Sequence, residues 1–156
     1  MAKESPEPQI VCVALNPAVD RTLEVPGLTL GEHLQGRLLS RQPAGKAVNV
    51  ARLLQNLGRG CILTGFIGEG ERAMFESSFD SKIVRSQLFG VASATRESIT
   101  LVDPEVSGET HIRVPGEAIS EEDQSRLTKK LRILAKPGGW MVFAGGLPPG
   151  ISPEGL

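Results

Sequence analysis

A cation and a carboxamide stand one helical turn apart in Ala44-Gly45-Lys46-Ala47-Val48-Asn49, at the start of an apolar-periodic run. A helix that begins there aims its unpaired amides and the positive end of its dipole at that spot. The small residues around Lys46 let backbone come close to a ligand. Lys46 adds a mobile positive charge, and Asn49 adds a donor and an acceptor. The chemistry outlined is recognition of a polyol or a sugar phosphate. On these six residues alone, a loop packed against a helix start is the slightly better account. Two further charged candidates are Asp20, shortly after Asn16-Pro17, and Arg96, after Thr95. Read singly, Asp20 is a turn-capping carboxylate and Arg96 a solvated strand charge.

Other chemistries are disfavoured. The 156 residues carry a net charge of -1, which gives no support to nucleic-acid or anionic-membrane binding. His33 and His111 lie far apart with no partner at ligand spacing, so no metal site is assigned. Cys12 and Cys61 each sit inside an apolar run and read as small buried hydrophobes, consistent with a reducing, cytoplasmic setting. No apolar run is long enough to cross a membrane, and no signal peptide is visible. The polar opening, residues 1–9, reads as a frayed tail.

The elements that must position the candidates follow from periodicity. Residues 10–15 (IVCVAL) and 61–67 (CILTGFI) read as strands buried on both faces, as in a parallel sheet. The first ends at Asn16-Pro17, which puts Asp20 near a strand's C-terminal end, where open α/β sheets bind ligands. Val50, Leu53, Leu54 and Leu57 make a helical stripe over residues 47–57, closed by Gly58. Residues 69–79 read as a further helix. Partial alternation over 22–39 predicts extended, partly exposed strands. Cleaner alternation over 95–103, with a return at 110–114, predicts an antiparallel hairpin. Ser120 ahead of Glu121, Glu122 and Asp123 is a helix start, with Leu127, Leu131 and Leu134 on its apolar side. Residues 140–144 read as a third buried strand, and Ser152-Pro153-Glu154 as another helix start.

The wider spacing adds to this reading. Ala44-Gly45-Lys46-Ala47, then Asn49 and Ala51, Gly58 after six residues and Gly68 after nine more resemble the first signature of the PfkB family of carbohydrate kinases. Asn16-Pro17-Ala18-Val19-Asp20 resembles the family's N-terminal Asn-Pro-x-x-Asp. Thr95-Arg96-Glu97-Ser98-Ile99 resembles its Thr-Arg lid segment, and Gly145-Gly146-Leu147-Pro148-Pro149-Gly150 its Gly-Ser-Leu-Pro-x-Gly loop. The four motifs stand in the family's order and cover nearly the whole chain. They look most like the 1-phosphofructokinase and tagatose-6-phosphate kinase branch.

The resemblance implies an α/β, ribokinase-like fold: the N-terminal part of a mostly parallel three-layer sheet-and-helix domain over 1–156, with a small antiparallel β lid from about 22–39 and 95–114. It implies transfer of the ATP γ-phosphate, with Mg²⁺, to a hydroxyl of a hexose or hexose phosphate. Asp20 and Asn49 would hold sugar hydroxyls, Gly45 would allow close approach, and Lys46 and Arg96 would meet a substrate phosphate, a sensible pairing of point charge and planar fork. Lid strands imply a homodimer. Ala44 and Ala47 stand where the family has Gly, which bears on substrate size and affinity, and Gly146 replaces a Ser. The family's second signature, with its catalytic Asp and the ATP pocket, has no counterpart in these residues. The chain is therefore expected to hold sugar without turning it over, since phosphoryl transfer rests on positioning and charge at the transferred group. A non-enzymatic sugar-phosphate-binding module and a truncated gene product are the alternatives. A dinucleotide-binding domain ranks below them, because no Gly-x-Gly-x-x-Gly follows the first strand.

Overall fold

The computed structural model describes residues 8–155. The predicted tail lies mostly outside them. Its last residue is tied in: Gln9 Nε2 donates to the Leu134 carbonyl at 2.7 Å, and the Trp140 amide donates to the Gln9 carbonyl at 2.8 Å.

The described residues form two four-stranded sheets. In chain order, β1 (Ile10–Ala14), β2 (Ala18–Glu24) and β3 (Arg37–Ala44) precede α1 (Lys46–Asn56). Then come β4 (Cys61–Gly68), α2 (Arg72–Ser77), β5 (Val84–Val91), β6 (Arg96–Val102), β7 (Glu109–Arg113), α3 (Glu121–Leu134) and β8 (Trp140–Phe143). The first sheet has the order β5-β4-β1-β8, and every pair in it is parallel. Parallel strands need covered faces, and their side chains divide accordingly. Cys12, Ala14, Cys61, Leu63 and Ile67 pack with Ala47, Val48 and Ala51 of α1 and with Phe75 of α2. Val11, Val13, Ile62 and Phe66, from the opposite face, pack with Leu127 and Leu134 of α3. Two-residue alternation along β1 and β4 thus builds a helix–sheet–helix sandwich.

The second sheet has the order β3-β2-β6-β7. An antiparallel lid was expected; the sheet is mixed, because β2 and β6 run parallel while β2–β3 and β6–β7 are antiparallel. β2 and β6 each leave the first sheet directly from a strand of it, so both set out in the same direction. The strands expected over 22–39 begin earlier and end later: Asp20 lies within β2, and residues 25–36 connect β2 to β3 without strand structure.

Four other expectations need correction. In α1 the predicted stripe meets the core only in part: Val50 and Leu54 pack against it half-buried, whereas Leu53 is 58% and Leu57 66% exposed, and Ala47, Val48 and Ala51 are fully buried. Small side chains bring the helix axis near the sheet, and that contact outweighs the larger leucines. The helix over 69–79 resolves into a 3₁₀ turn, Glu69–Glu71, followed by the short α2. β8 is an edge strand and not a buried one, with Trp140 65% and Phe143 44% exposed, since it pairs with β1 alone. The start at Ser152 gives a 3₁₀ turn, Pro153–Gly155. β5, absent from the sequence reading, pairs with β4 from Cys61↔Val84 to Gly68↔Val91.

Cys12 and Cys61 are both unoxidised and buried. A hydrogen bond with Cys61, and then burial, push the Cys12 thiol up, so it stays protonated at neutral pH.

Candidate functional site

The chain crosses between the two sheets at the C-terminal ends of β1 and β5, at the end of β3 and at the end of β7. Ligands of open α/β sheets bind at that end. The structure gathers the four sequence motifs there.

Gly45 occupies the position before α1 with φ 119°. A Cβ there would stand 3.2 Å from Pro17 Cα and 3.7 Å from the Ala18 nitrogen. The close approach expected of a ligand is therefore first an approach of the chain to itself: the turn after β3 presses on the Asn16-Pro17 turn. No side chain caps the first turn of α1, and no acidic residue stands in it. At α3 the same orphan amides are served internally, for Ser120 Oγ accepts from the Asp123 amide at 3.1 Å. The short α2 also lacks a side-chain cap but continues from a 3₁₀ turn, whereas the α1 N-terminus follows the Gly45 turn with Lys46 exposed beside it. The loop after β8 closes this spot from another side, since a Cβ on Gly145 would lie 3.8 Å from Lys46 Cβ.

The methyl groups of Ala44 and Ala47 are buried, the latter in the core cluster behind α1. They fill the fold and do not stand in front of Lys46.

Asp20 and Arg96 share one face of the second sheet. Ala18 pairs with both Ala44 and Arg96, and Asp20 pairs with both Gln42 and Ser98. Arg96 is therefore one rung from Asp20 and next to the strand end that leads into Gly45. Asp20 is half-buried, and its carboxylate has no hydrogen bond or ion pair among the described residues. Arg96 is partly engaged: Nε donates to the Asn16 carbonyl at 3.3 Å and Nη1 to the Val114 carbonyl at 3.4 Å. It also lines a cleft with Asn16, Thr95, Gly116 and Glu117. Asp20, Gly45, Lys46 and Asn49 do not line that cleft; Gly45, Lys46 and Asn49 stand at the α1 start, and register sets Asp20 and Arg96 together on the sheet face beside it.

Asn49 is exposed at the end of the first turn of α1. Its oxygen already accepts once, because Arg52 Nη1 donates to Asn49 Oδ1 at 2.9 Å. Its two amide donors and one remaining oxygen lone pair are left for a ligand.

Two residues that sequence reasoning passed over hold this arrangement. Asn16 Nδ2 donates to the Pro115 carbonyl at 3.1 Å and to the Leu147 carbonyl at 3.4 Å, bracketing three loops. Arg52 Nη2 donates to the Pro43 carbonyl at 2.8 Å. Asn16 had a signal in the sequence, its place in the Asn-Pro motif. Arg52 had none beyond following Ala51.

A parallel sheet covered by helices on both faces, joined to a second, mixed sheet, is the ribokinase-like α/β fold. The family model described as "pfkB family carbohydrate kinase" matches residues 8–156, and the chain belongs to that family. It is 35% identical over 146 residues to a 1-phosphofructokinase of Vibrio cholerae, covering 94% of this chain and 46% of that one. A Thermotoga maritima structure described as a possible 1-phosphofructokinase superimposes with a TM-score of 0.78 at 25% identity, covering 92% of this chain and 47% of its own. The fold also matches Escherichia coli phosphofructokinase-2 in complex with fructose-6-phosphate, at TM-score 0.82 and 21% identity over 96% of this chain and 48% of that one. The chain thus spans about half the length of the relatives it matches.

Proposed function

We propose that this chain is the acceptor-binding half of a kinase that transfers the γ-phosphoryl group of ATP to a hydroxyl of a hexose or hexose phosphate. The observation that carries the reading is the α1 N-terminus, uncapped by any side chain and flanked by Lys46, the Asn49 amide and the Gly145 loop. Asp20 accepts hydrogen bonds from sugar hydroxyls. The Asn49 amide donates to a sugar oxygen. Lys46 and the α1 amides meet phosphate charge, and Arg96 adds its remaining donors from the sheet border. These groups bind and orient the acceptor, the positioning on which phosphoryl transfer depends together with charge stabilisation at the transferred group.

ATP supplies the phosphoryl group and Mg²⁺ neutralises its charge when bound. The described residues contain no group of three or more His, Cys, Asp or Glu that could hold a metal ion. No step through the nucleotide is assigned to this chain's residues, and catalysis by the chain alone is not expected. The open edge of β8, with Trp140 and Phe143 exposed, favours a kinase whose sheet continues beyond β8 over a free-standing sugar-binding module. A homodimer through the second sheet is supported by that sheet's other face, where register places Leu23, Leu38, Ile99, Leu101 and Ile112 together. The unoxidised, buried thiols fit a reducing, cytoplasmic setting.

Calorimetry with fructose 1-phosphate, fructose 6-phosphate and tagatose 6-phosphate tests the reading. One of them should bind. Replacement Asp20→Ala or Lys46→Ala should weaken it by about ten- to a hundredfold, the worth of one hydrogen bond to a charged group. No heat with any of the three at millimolar concentration rejects the sugar-phosphate site. Turnover by the chain with ATP would reject the assignment of catalysis to residues outside it.

A further inference from the structure

We propose that Arg52 is a positioning residue for the acceptor site: it locks the Asn49 carboxamide with its nitrogen toward the ligand and ties that carboxamide to the root of β3. The inference rests on the sugar-site reading above and adds a residue and a polarity to it. A guanidinium has donors and no acceptor, so the atom of Asn49 that faces it must be the carboxamide oxygen. Nη1 meets that oxygen at 2.9 Å, which turns the two N–H groups of Nδ2 away from Arg52. Asn49 then presents both Nδ2 donors to oxygen lone pairs on a ligand, while Arg52 holds one of the two lone pairs of Oδ1.

The second arm of the fork reaches a different element. Nη2 donates to the Pro43 carbonyl at 2.8 Å. Pro43 stands two residues before Gly45, whose turn is wedged against Pro17. One planar group thus joins the end of a second-sheet strand to the first turn of α1. The guanidinium lies 5.9 Å from the centroid of the Phe79 ring, a buried side chain that limits its swing. A lysine at this position would hold neither acceptor in a fixed orientation, since its ammonium is a strongly hydrated point charge on a flexible stem.

The test compares the whole chain with Arg52→Lys and Arg52→Gln variants by two readouts. The first needs no ligand. The side-chain amide pair of Asn49, identified by its absence in Asn49→Ala, is followed in proton–nitrogen NMR spectra. In both variants it should move toward the position of a free asparagine, and an unmoved pair overturns the clamp. The second readout is fructose 6-phosphate affinity. Arg52→Lys should weaken binding about tenfold in the native background, the scale of one hydrogen bond, and by nothing further in the Asn49→Ala background. Equal losses in both backgrounds overturn the claim that Arg52 acts through Asn49. If the native chain binds no sugar phosphate, the sugar reading fails, and the amide spectrum still decides whether Arg52 orients Asn49. Should Arg52→Gln not fold, the lysine variant carries both readouts.

Discussion

The two sheets of this protein are held together by different physics. The first is parallel and covered on both faces, and its strands deliver alternate side chains into two apolar clusters. The second is mixed and mostly half-exposed. Its register sorts Asp20, Gln42, Arg96 and Ser98 onto one face and Leu23, Leu38, Ile99 and Leu101 onto the other. Outside its buried base it relies on ion pairs, Arg21 with Glu97 at 3.0 Å and Arg37 with Glu24 at 3.0 Å, and on one buried carboxylate, Asp103. Exposed pairs contribute little, about 0–1 kcal/mol each. The first sheet is thus a rigid platform and the second a more easily opened flap, with the candidate site where they join.

The comparison breaks most easily at glycine. Gly65 sits in β4 opposite Ala14 with φ 127°, and a Cβ there would come within 2.0 Å of the Ala14 carbonyl oxygen. Both partners are backbone in a sheet covered on each side, so neither has room to yield. Gly65→Ala should cost more than about 4 kcal/mol, in the range that marks a specific structural fault. Gly108, between β6 and β7, also has positive φ, 142°, but nothing within 4 Å. Gly108→Ala should cost only the backbone strain, about 1–2 kcal/mol. Urea denaturation measures both. Equal losses would mean that the second sheet is as tightly built as the first.

Leucines give a second, smaller contrast. Leu63 is fully buried in β4, and Leu63→Ala should cost about 2–5 kcal/mol. Leu101, half-exposed on β6, should lose about 1 kcal/mol on the same change, in proportion to the area it covers. A larger loss at Leu101 that grows with protein concentration would show that this face is buried against a second copy.

The same division explains what could be read from sequence. IVCVA and CILTGFI look like buried strands because they are short, almost wholly apolar runs, and they became β1 and β4. The Ser120 cap and its acidic turn marked α3 within a residue. β5, VRSQLFGV, has no such signature: it interleaves polar and apolar residues, and it is a strand because β4 offers it eight consecutive partners. β8 shows the converse, since WMVF has the composition of a buried strand and lies at an edge. Composition reports how much burial a segment wants; neighbours decide how much it receives. The same holds for α1, where Ala47, Val48 and Ala51 take the centre of the contact while Leu53 and Leu57 are left exposed. At the candidate site, motif spacing proposed Asp20, Gly45, Lys46, Asn49 and Arg96. It could not show that Arg52 occupies the oxygen of Asn49 or that Arg96 spends donors on carbonyls, because both depend on where β3 and residues 114–116 return.

Asp103 offers the finest test, because it separates the two sheets by pH. Its carboxylate accepts from the Glu105 amide at 3.0 Å, the Leu28 amide at 2.8 Å and the Gly27 amide at 3.1 Å, pinning the connection between β2 and β3 to the end of β6. The Glu105 amide foremost, with those of Leu28 and Gly27, holds the carboxyl below the usual aspartate range, against the opposing pull of burial. A depressed folded value means that the stabilisation is complete above the unfolded value, about 3.9, and is lost as pH falls through the folded one. Amide protection at Gly27, Leu28 and Glu105 should therefore be constant from neutrality to about pH 4 and decline below it. Amides of β4 should keep their protection over the same range. In Asp103→Asn the decline should vanish, because no proton is taken up there, while protection at neutral pH is already reduced by loss of the charge. Parallel loss at β4 would mean that acid acts on the whole molecule at once, and that the platform and the flap are a single cooperative unit.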